Sequence, residues 1–351
     1  METPPPPLRT KLIFWLLLGF LSVAIAEVSV ASAPLAFINP VETVFLTLFY
    51  GSHLLVFAWL IFRKGWPSLT ALWLGGVLFG LYEFYITKVM FTPPWGDSIR
   101  MAHVDVLSII VLALFWHPFM AFIYPLAIGE TLGTRTRWVT GRLPEWFTGA
   151  RRRTVIAALV LAALLHGMMT GDAGIALVST ASALIAVYLV AGWWRRNERS
   201  RHWDLRSLLP NDRQGKVVAA VLLLQYAIFV PLWNTDRLPP ALGHIVALLL
   251  YAGFFLLLFD AVARTSSDSA VAAGSHPGWP RRRLIQWAGT LLTLSVLGSL
   301  GQPEVAALVV WIIGTVAGLT MLTVSLRKAA APLRRDDPPA VATAEHIGGS
   351  G

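Results

Sequence analysis

The chain has 351 residues, 56% of them apolar or aromatic and only 13% charged. A soluble domain carries about a quarter charged residues, and apolar blocks as long as these cannot all be hidden from water in one core, so a soluble globular enzyme is excluded. The chain has no cysteine, which removes disulfides, thiolate metal sites and iron–sulfur clusters. Its net charge of +9 follows from topology, as argued below, and not from nucleic-acid binding.

A bilayer core about 30 Å thick needs about 20 apolar residues in a helix, because backbone N–H and C=O groups must be bonded within the segment. Ten blocks follow that ruler: 12–26, 41–62, 68–91, 103–132, 154–170, 173–194, 216–233, 240–262, 284–300 and 304–326. The expected fold class is therefore all-α, a polytopic transmembrane helix bundle of about ten spans. The first block has signal-peptide features, with Arg9 and Lys11 ahead of it and Ala24-Ile25-Ala26 at its end. Apolar character resumes through 28–38, however, and the charge alternation works only if this block is kept, so it is expected to be a retained span.

Of the 28 Lys and Arg, 25 fall before span 1 or in the loops after spans 2, 4, 6, 8 and 10. The opposite loops hold only Arg100 and Arg237, and Lys88 lies inside span 3. Basic loops mark the cytoplasmic side, so both termini are expected in the cytoplasm. The expected location is the plasma (inner) membrane of a prokaryote, with anionic lipids against the basic loops and no nucleic-acid partner.

Four regions follow. Residues 1–132 form a front transmembrane bundle of spans 1–4 that holds most of the ionisable groups at membrane depth. Residues 133–153 are a basic cytoplasmic loop. Residues 154–328 form a rear bundle of six Leu-, Val- and Ala-rich spans, suited to packing or to a homo-oligomer, in which Gly314 and Gly318 make a small-xxx-small pair for helix contact. Residues 329–351 are a polar tail expected to be disordered.

A charge at mid-bilayer costs at least about 2.5–3.5 kcal/mol, so each one needs a partner or a purpose. In span 3, Gly76, Gly80, Glu83 and Thr87 share one face at 100° per residue. The two glycines let another helix approach closely, which turns Glu83 into the bundle. Lys88 lies off that face, near enough to the outer surface to snorkel. In span 2, Glu42 and His53 are eleven residues apart and nearly eclipsed, with His53 close to mid-membrane. In span 4, helical spacing puts His103, His117 and Tyr124 on one face. Pro118 and Pro125 in that span would free the carbonyls of Leu114 and Ala121. His53, Glu83 and His117, on three helices at similar depth, are expected to converge. Above them Glu27, Asn39, Glu42, Lys88, Asp97, Arg100, His103 and Asp105 would line an outer vestibule, with Trp95 as an interfacial anchor. His166, His244, Asp172, Asp260 and Gln225 are scattered and read as structural.

Several stretches of the front half resemble an uncharacterised prokaryotic family of multi-pass membrane proteins. They are Glu27-Val28-Ser29 through Pro34, Phe37-Ile38-Asn39-Pro40, Leu48-Phe49-Tyr50-Gly51-Ser52, Phe79-Gly80-Leu81-Tyr82-Glu83 with Lys88, and Phe115-Trp116-His117. Within it, the Glu-bearing helix followed by a Phe/His helix is locally similar to the CPBP (CAAX protease and bacteriocin-processing) intramembrane proteases. That similarity implies that Glu83 is a catalytic carboxylate activating water and that His117 stabilises an oxyanion or binds metal. The chain departs from the CPBP pattern at Phe84, where those enzymes have a second Glu, at Thr87 and Lys88 in place of Arg, and at Ala113. His166 with Thr170 stands where they have His-x-x-x-Asn.

The expected function is binding or transport of a small ligand or proton through an intramembrane Glu/His pocket open to the outer side. Glu83 and His117 are the reactive pair, and His53, Lys88, Glu42, Glu27, Asp97, His103 and Tyr124 are the surrounding ligand-binding residues. The alternatives are a CPBP-like hydrolase, with Glu83 as general base, and a non-catalytic membrane scaffold. Metal and cofactor content stay open. Among soluble-type motifs, no Walker loop, G-x-S-x-G or H-E-x-x-H is present.

Overall fold

The structure, a computed structural model, describes residues 5–63, 67–93, 96, 99–134, 136–143, 152–197, 203–264 and 281–331. Asp97, Trp95 and the tail from 332 onward lie outside the described residues, as does the last part of the basic loop, 144–151.

The described residues are almost wholly helical. In chain order the long helices are α1 (Leu8–Val28), α2 (Pro40–Phe62), α3 (Leu69–Thr87) and α4 (Ser108–Gly133). They are followed by α5 (Arg152–Thr170), α6 (Ala173–Asn197), α7 (Asp212–Leu232), α8 (Ala241–Ala263), α9 (Arg281–Gly298) and α10 (Pro303–Ala330). Eight of them are long and apolar enough to cross a bilayer. The other two, α5 and α9, open on arginines, and the apolar part of α5 is the shorter Val160–Thr170.

Local chemistry sets the helix starts. Asn39 caps α2 by accepting the Val41 and Glu42 N–H groups, with Pro40 at the first helical position. Ser68 accepts the Ala71 N–H at the start of α3. Asn211 and Gln214 form a reciprocal capping box on α7.

Span 4 differs from its expected form in two ways. Residues Arg100–Met101 and Val104–Asp105 pair as a short antiparallel hairpin, β1 and β2, so the helix begins only after it. Ala102 (φ 48°) and His103 (φ 67°) both take left-handed backbone, the combination that matches a two-residue turn to strand twist. His103 is consequently exposed at the hairpin tip and not on α4. The first sixteen residues of α4, Ser108–Ile123, are also wound as a π-helix, with i→i+5 hydrogen bonds. The expected shared face of His103, His117 and Tyr124 assumed α-helical spacing from 103 onward, and neither condition holds.

The helices alternate in direction between two ends. At one end, which carries most of the described arginines, Arg63 of α2 pairs with Asp212 of α7 at 3.2 Å. There too Lys11 of α1 donates to Leu209 O, Trp194 of α6 to Gly133 O and Lys328 of α10 to the Thr70 hydroxyl. At the far end Lys88 reaches Val230 O, Asn234 reaches Thr87 O and His166 reaches Ser29 O.

The first four helices are central and the later six surround them. In α3, 83% of the apolar span is buried, against 11% in α7. Phe14, Leu18, Trp73, Phe79 and Phe122 are fully enclosed, whereas Leu223, Leu249, Leu256 and Val316 on the later helices are exposed. An apolar exterior is what lipid tails accept at no cost.

The most extensive helix pairing is α3 with the π-wound part of α4. A Cβ on Gly76 would stand 2.4 Å from Pro118 Cα, and one on Gly80 2.9 Å from His117 Cβ. Those glycines therefore set the approach that the site depends on. Gly314 and Gly318 of α10 meet Phe115 and Ile110 O on another face, so α4 is gripped between two small-residue stripes.

Candidate functional site

The expected loss of the Leu114 and Ala121 partners to Pro118 and Pro125 assumed α-helical spacing. The i→i+5 winding of Ser108–Ile123 does not keep that spacing, yet both carbonyls accept side chains from neighbouring helices. Leu114 O accepts the Trp73 indole N–H of α3 at 2.8 Å, and Ala121 O accepts the Ser22 hydroxyl of α1 at 2.7 Å. A third tie runs from the Trp116 indole of α4 to Ala26 O, in the wide last turn Ala24–Val28 of α1. These bonds hold α1, α3 and α4 in fixed register around His117.

His117 projects toward α3, where its Nε2 lies 3.5 Å from Glu83 Oε2, with both residues buried. That is a few tenths of an ångström longer than a formed N–H···O bond. The other ring nitrogen, Nδ1, lies 3.3 Å from Leu112 O, five residues back in the π-wound stretch. A carbonyl can only accept, so Nδ1 carries the hydrogen and Nε2 of the neutral ring offers a lone pair to Glu83. His53 of α2 repeats the arrangement, with Nδ1 bonded to Phe49 O at 2.7 Å. Its Nε2, His117 Nε2 and Glu83 Oε2 are all enclosed, and none has a hydrogen-bond partner. Such an atom costs about 1–3 kcal/mol when left unsatisfied.

Aromatic rings wall the group. Phe79 stacks on His53 at 5.0 Å and lies 5.7 Å from His117. Tyr50 lies nearly parallel to the His117 ring at 6.3 Å, and the Phe84 edge meets it at 4.7 Å. The Tyr50 hydroxyl donates to Glu27 on the last turn of α1. Glu27 also accepts the Ser32 hydroxyl at 2.5 Å, in the loop at the far end. The polar groups thus run from His53, His117 and Glu83 in the interior through Tyr50 to Glu27 and Ser32 near the far surface.

The structure brings together His53, Glu83 and His117, with Glu27 joined to them through Tyr50. The remaining expected residues lie elsewhere. Glu42 stands half-exposed in the first turn of α2. Lys88 does not pair with Glu83 and does not snorkel. It ends α3 in left-handed backbone (φ 64°), fully buried, with its ammonium on Ile86 O at 2.9 Å and Val230 O at 2.8 Å. A cation on the last carbonyls of α7 is a helix C-terminal cap, and burial draws this lysine below its usual pKa. His103 is at the hairpin tip, and Tyr124 lies seven residues beyond His117 with its ring against Phe119. Asp105 caps the start of α4 through the Ser108 N–H. His166 bonds Ser29 O and the Ser179 hydroxyl.

Two residues of consequence were not singled out from sequence. Tyr50 is three residues before His53 and so on a neighbouring part of the same helix face, a signal that was available. Glu130 is different. Its fully buried carboxylate accepts the backbone N–H groups of Trp138, Val139 and Thr140 and the hydroxyls of Thr136 and Thr140. Among the described residues, no group of three or more His, Asp and Glu is arranged to hold a metal ion.

Residues 16–335, which take in all but the ends of the helical bundle, match an uncharacterized membrane protein family. An uncharacterized protein of Archaeoglobus fulgidus is 28% identical over 313 residues, which is 88% of this chain and 95% of that protein. No solved structure matches. These relatives lend no support to the local similarity to CPBP proteases.

Proposed function

We propose that this chain, which belongs to that uncharacterized membrane protein family, is a proton-handling multi-pass membrane protein whose Glu83–His117 pair takes up and releases a proton. The observation that carries the reading is the 3.5 Å approach of Glu83 Oε2 to His117 Nε2, with both atoms buried and neither hydrogen-bonded. One proton shared by a carboxylate and an imidazole leaves the pair neutral, whichever atom holds it, which is the form hydrocarbon tolerates. His53 Nε2 offers a further acceptor behind Phe79. Tyr50 and Glu27 supply the exit toward the far end. As a proton reaches the Tyr50 oxygen, the hydroxyl proton passes to Glu27, so one proton moves and the tyrosine is regenerated.

In this reading the arginine-rich end faces the cytoplasm of a prokaryotic cell, by the positive-inside rule, and the Glu27 end opens outward. A scaffold would have no use for three enclosed polar atoms that each cost stability. Hydrolysis of the CPBP kind is disfavoured by Phe84, whose ring edge packs against His117 where a second carboxylate would be required.

The test is proton flux into vesicles carrying the purified protein and an enclosed pH-sensitive dye, with potassium and valinomycin balancing charge. The wild type should collapse an imposed gradient faster than empty vesicles. Removing a proton-transfer group costs about 10²–10⁴-fold, so Glu83→Gln and His117→Phe should return the rate to background. A wild type no faster than empty vesicles, or a Glu83→Gln protein as fast as wild type, overturns the reading.

A further inference from the structure

The Glu27 carboxylate has a different partner for each oxygen. The Tyr50 hydroxyl of α2 donates to Oε1 from the interior, and the exposed Ser32 hydroxyl donates to Oε2 at 2.5 Å from the loop after α1. That loop turns back on itself. The Ser32 N–H bonds Glu27 O at 3.2 Å, and Ala31 takes left-handed backbone (φ 58°). A residue with a Cβ disfavours this conformation, so the surroundings must hold it.

One such hold comes from the rear helices. Helix α5 stops at Thr170 beside Gly171 (φ 60°), and Asp172 accepts the Ile175 N–H at the start of α6. This tight turn returns the chain alongside itself, with His166 of α5 meeting Ser179 of α6. His166 Nδ1 lies 3.2 Å from Ser29 O, two residues after Glu27, and Nε2 lies 2.9 Å from the Ser179 hydroxyl. The carbonyl can only accept, so Nδ1 carries the hydrogen and Nε2 of the neutral ring accepts from Ser179. Both ring nitrogens are thus engaged, whereas Nε2 of His53 and of His117 is not. His166 and Ser179 are buried, so water does not compete for these bonds.

We propose that His166, oriented by Ser179, is a positioning residue for Glu27. It fixes the turn at Ser29, which keeps one carboxylate oxygen on Tyr50 and the other on Ser32. The inference rests on the proton-handling reading for the purpose of Glu27, and it gives α5 and α6 a part in that site beyond packing.

Infrared spectra of the full chain in lipid vesicles read Glu27 directly, its bands being those lost in Glu27→Gln. His166→Phe and Ser179→Ala should both shift these bands. His166→Asn, which offers an amide N–H in place of Nδ1–H, should return them toward their wild-type positions. In the proton-flux assay His166→Phe should slow transfer by up to about 10²-fold, the cost of displacing a reacting group by about 1 Å, and His166→Asn should recover most of it. Unmoved Glu27 bands in either His166→Phe or Ser179→Ala overturn the inference, whatever the flux. So does an equal loss of flux in His166→Phe and His166→Asn, which is what a packing role would give. Should His166→Phe not fold, Ser179→Ala decides by itself. A wild type no faster than empty vesicles would overturn the proton reading instead, and the infrared comparison would still decide whether His166 positions Glu27.

Discussion

Two glutamates are sunk in the same core, and the chain treats them in opposite ways. Glu130, near the end of α4, is fully enclosed and accepts from three backbone N–H groups and two hydroxyls. Glu83, on the partner helix α3, is nearly as buried, yet its Oε2 meets only the lone pair of an imidazole 3.5 Å away. The first carboxylate is a structural clip that orders the loop carrying Arg137. The second is held short of satisfaction by the glycine contact between α3 and α4. Burial therefore does not separate these two carboxylates. How completely each is hydrogen-bonded does.

The contrast can be broken most directly at Glu130. Glu130→Ala should cost about 3–5 kcal/mol, because several buried donors lose a charged acceptor at once. A melting curve in detergent and faster proteolysis within 136–143 would report it. Loss of proton flux should then follow only the loss of folded protein. Next in size is Gly80→Leu, whose side chain would drive into His117; overpacking of this kind costs about 1–3 kcal/mol. It should also separate α3 from α4 and suppress flux beyond what the stability change explains. Trp73→Phe removes the indole donor to Leu114 O and should cost about 1 kcal/mol, read as a lower melting temperature with flux reduced but present.

The smallest stability effect is expected at Glu83 itself. Glu83→Gln removes an ionisable group and no formed hydrogen bond of its carboxylate Oε2, so its melting temperature should match wild type within about 1 kcal/mol while flux disappears. If Glu83→Gln melted as low as Glu130→Ala, the distinction between clip and working group would fail. Infrared difference spectra sharpen the same point, since a carboxyl band that responds to pH should vanish in Glu83→Gln and persist in His53→Phe.

Much of the central bundle was legible before any coordinates. The spacing of Gly76, Gly80 and Glu83 identified the face on which α3 meets its neighbour, because three glycine- and acid-bearing positions recur at helical period whatever they pack against. The expectation that His53, Glu83 and His117 meet between helices came from counting residues along each span, and the structure brings the three together. The carbonyls that Pro118 and Pro125 would free were not legible, since the expectation of Leu114 and Ala121 took α-helical spacing and Ser108–Ile123 is wound i→i+5. The miss at His103 has an equally specific cause. The expected span 4 begins at His103 itself, although the stretch 103–107 carries His103 and Asp105, and the turn before the helix is marked by left-handed backbone at Ala102 and His103. Lys88 was misplaced because its acceptors, the end carbonyls of α7, lie more than 140 residues away in the chain.

The sequence by itself determined that this chain is a multi-pass helical membrane protein, because lipid forces each crossing segment to satisfy its own backbone, and that is a local, countable requirement. It also put the acid and imidazole groups of residues 53, 83 and 117 on three helices apolar enough to span. Only the tertiary structure decided which of them were left wanting. Hydrogen bonding between side chains depends on how closely two helices pack and on how α4 is wound, and both are settled by contacts between distant parts of the chain.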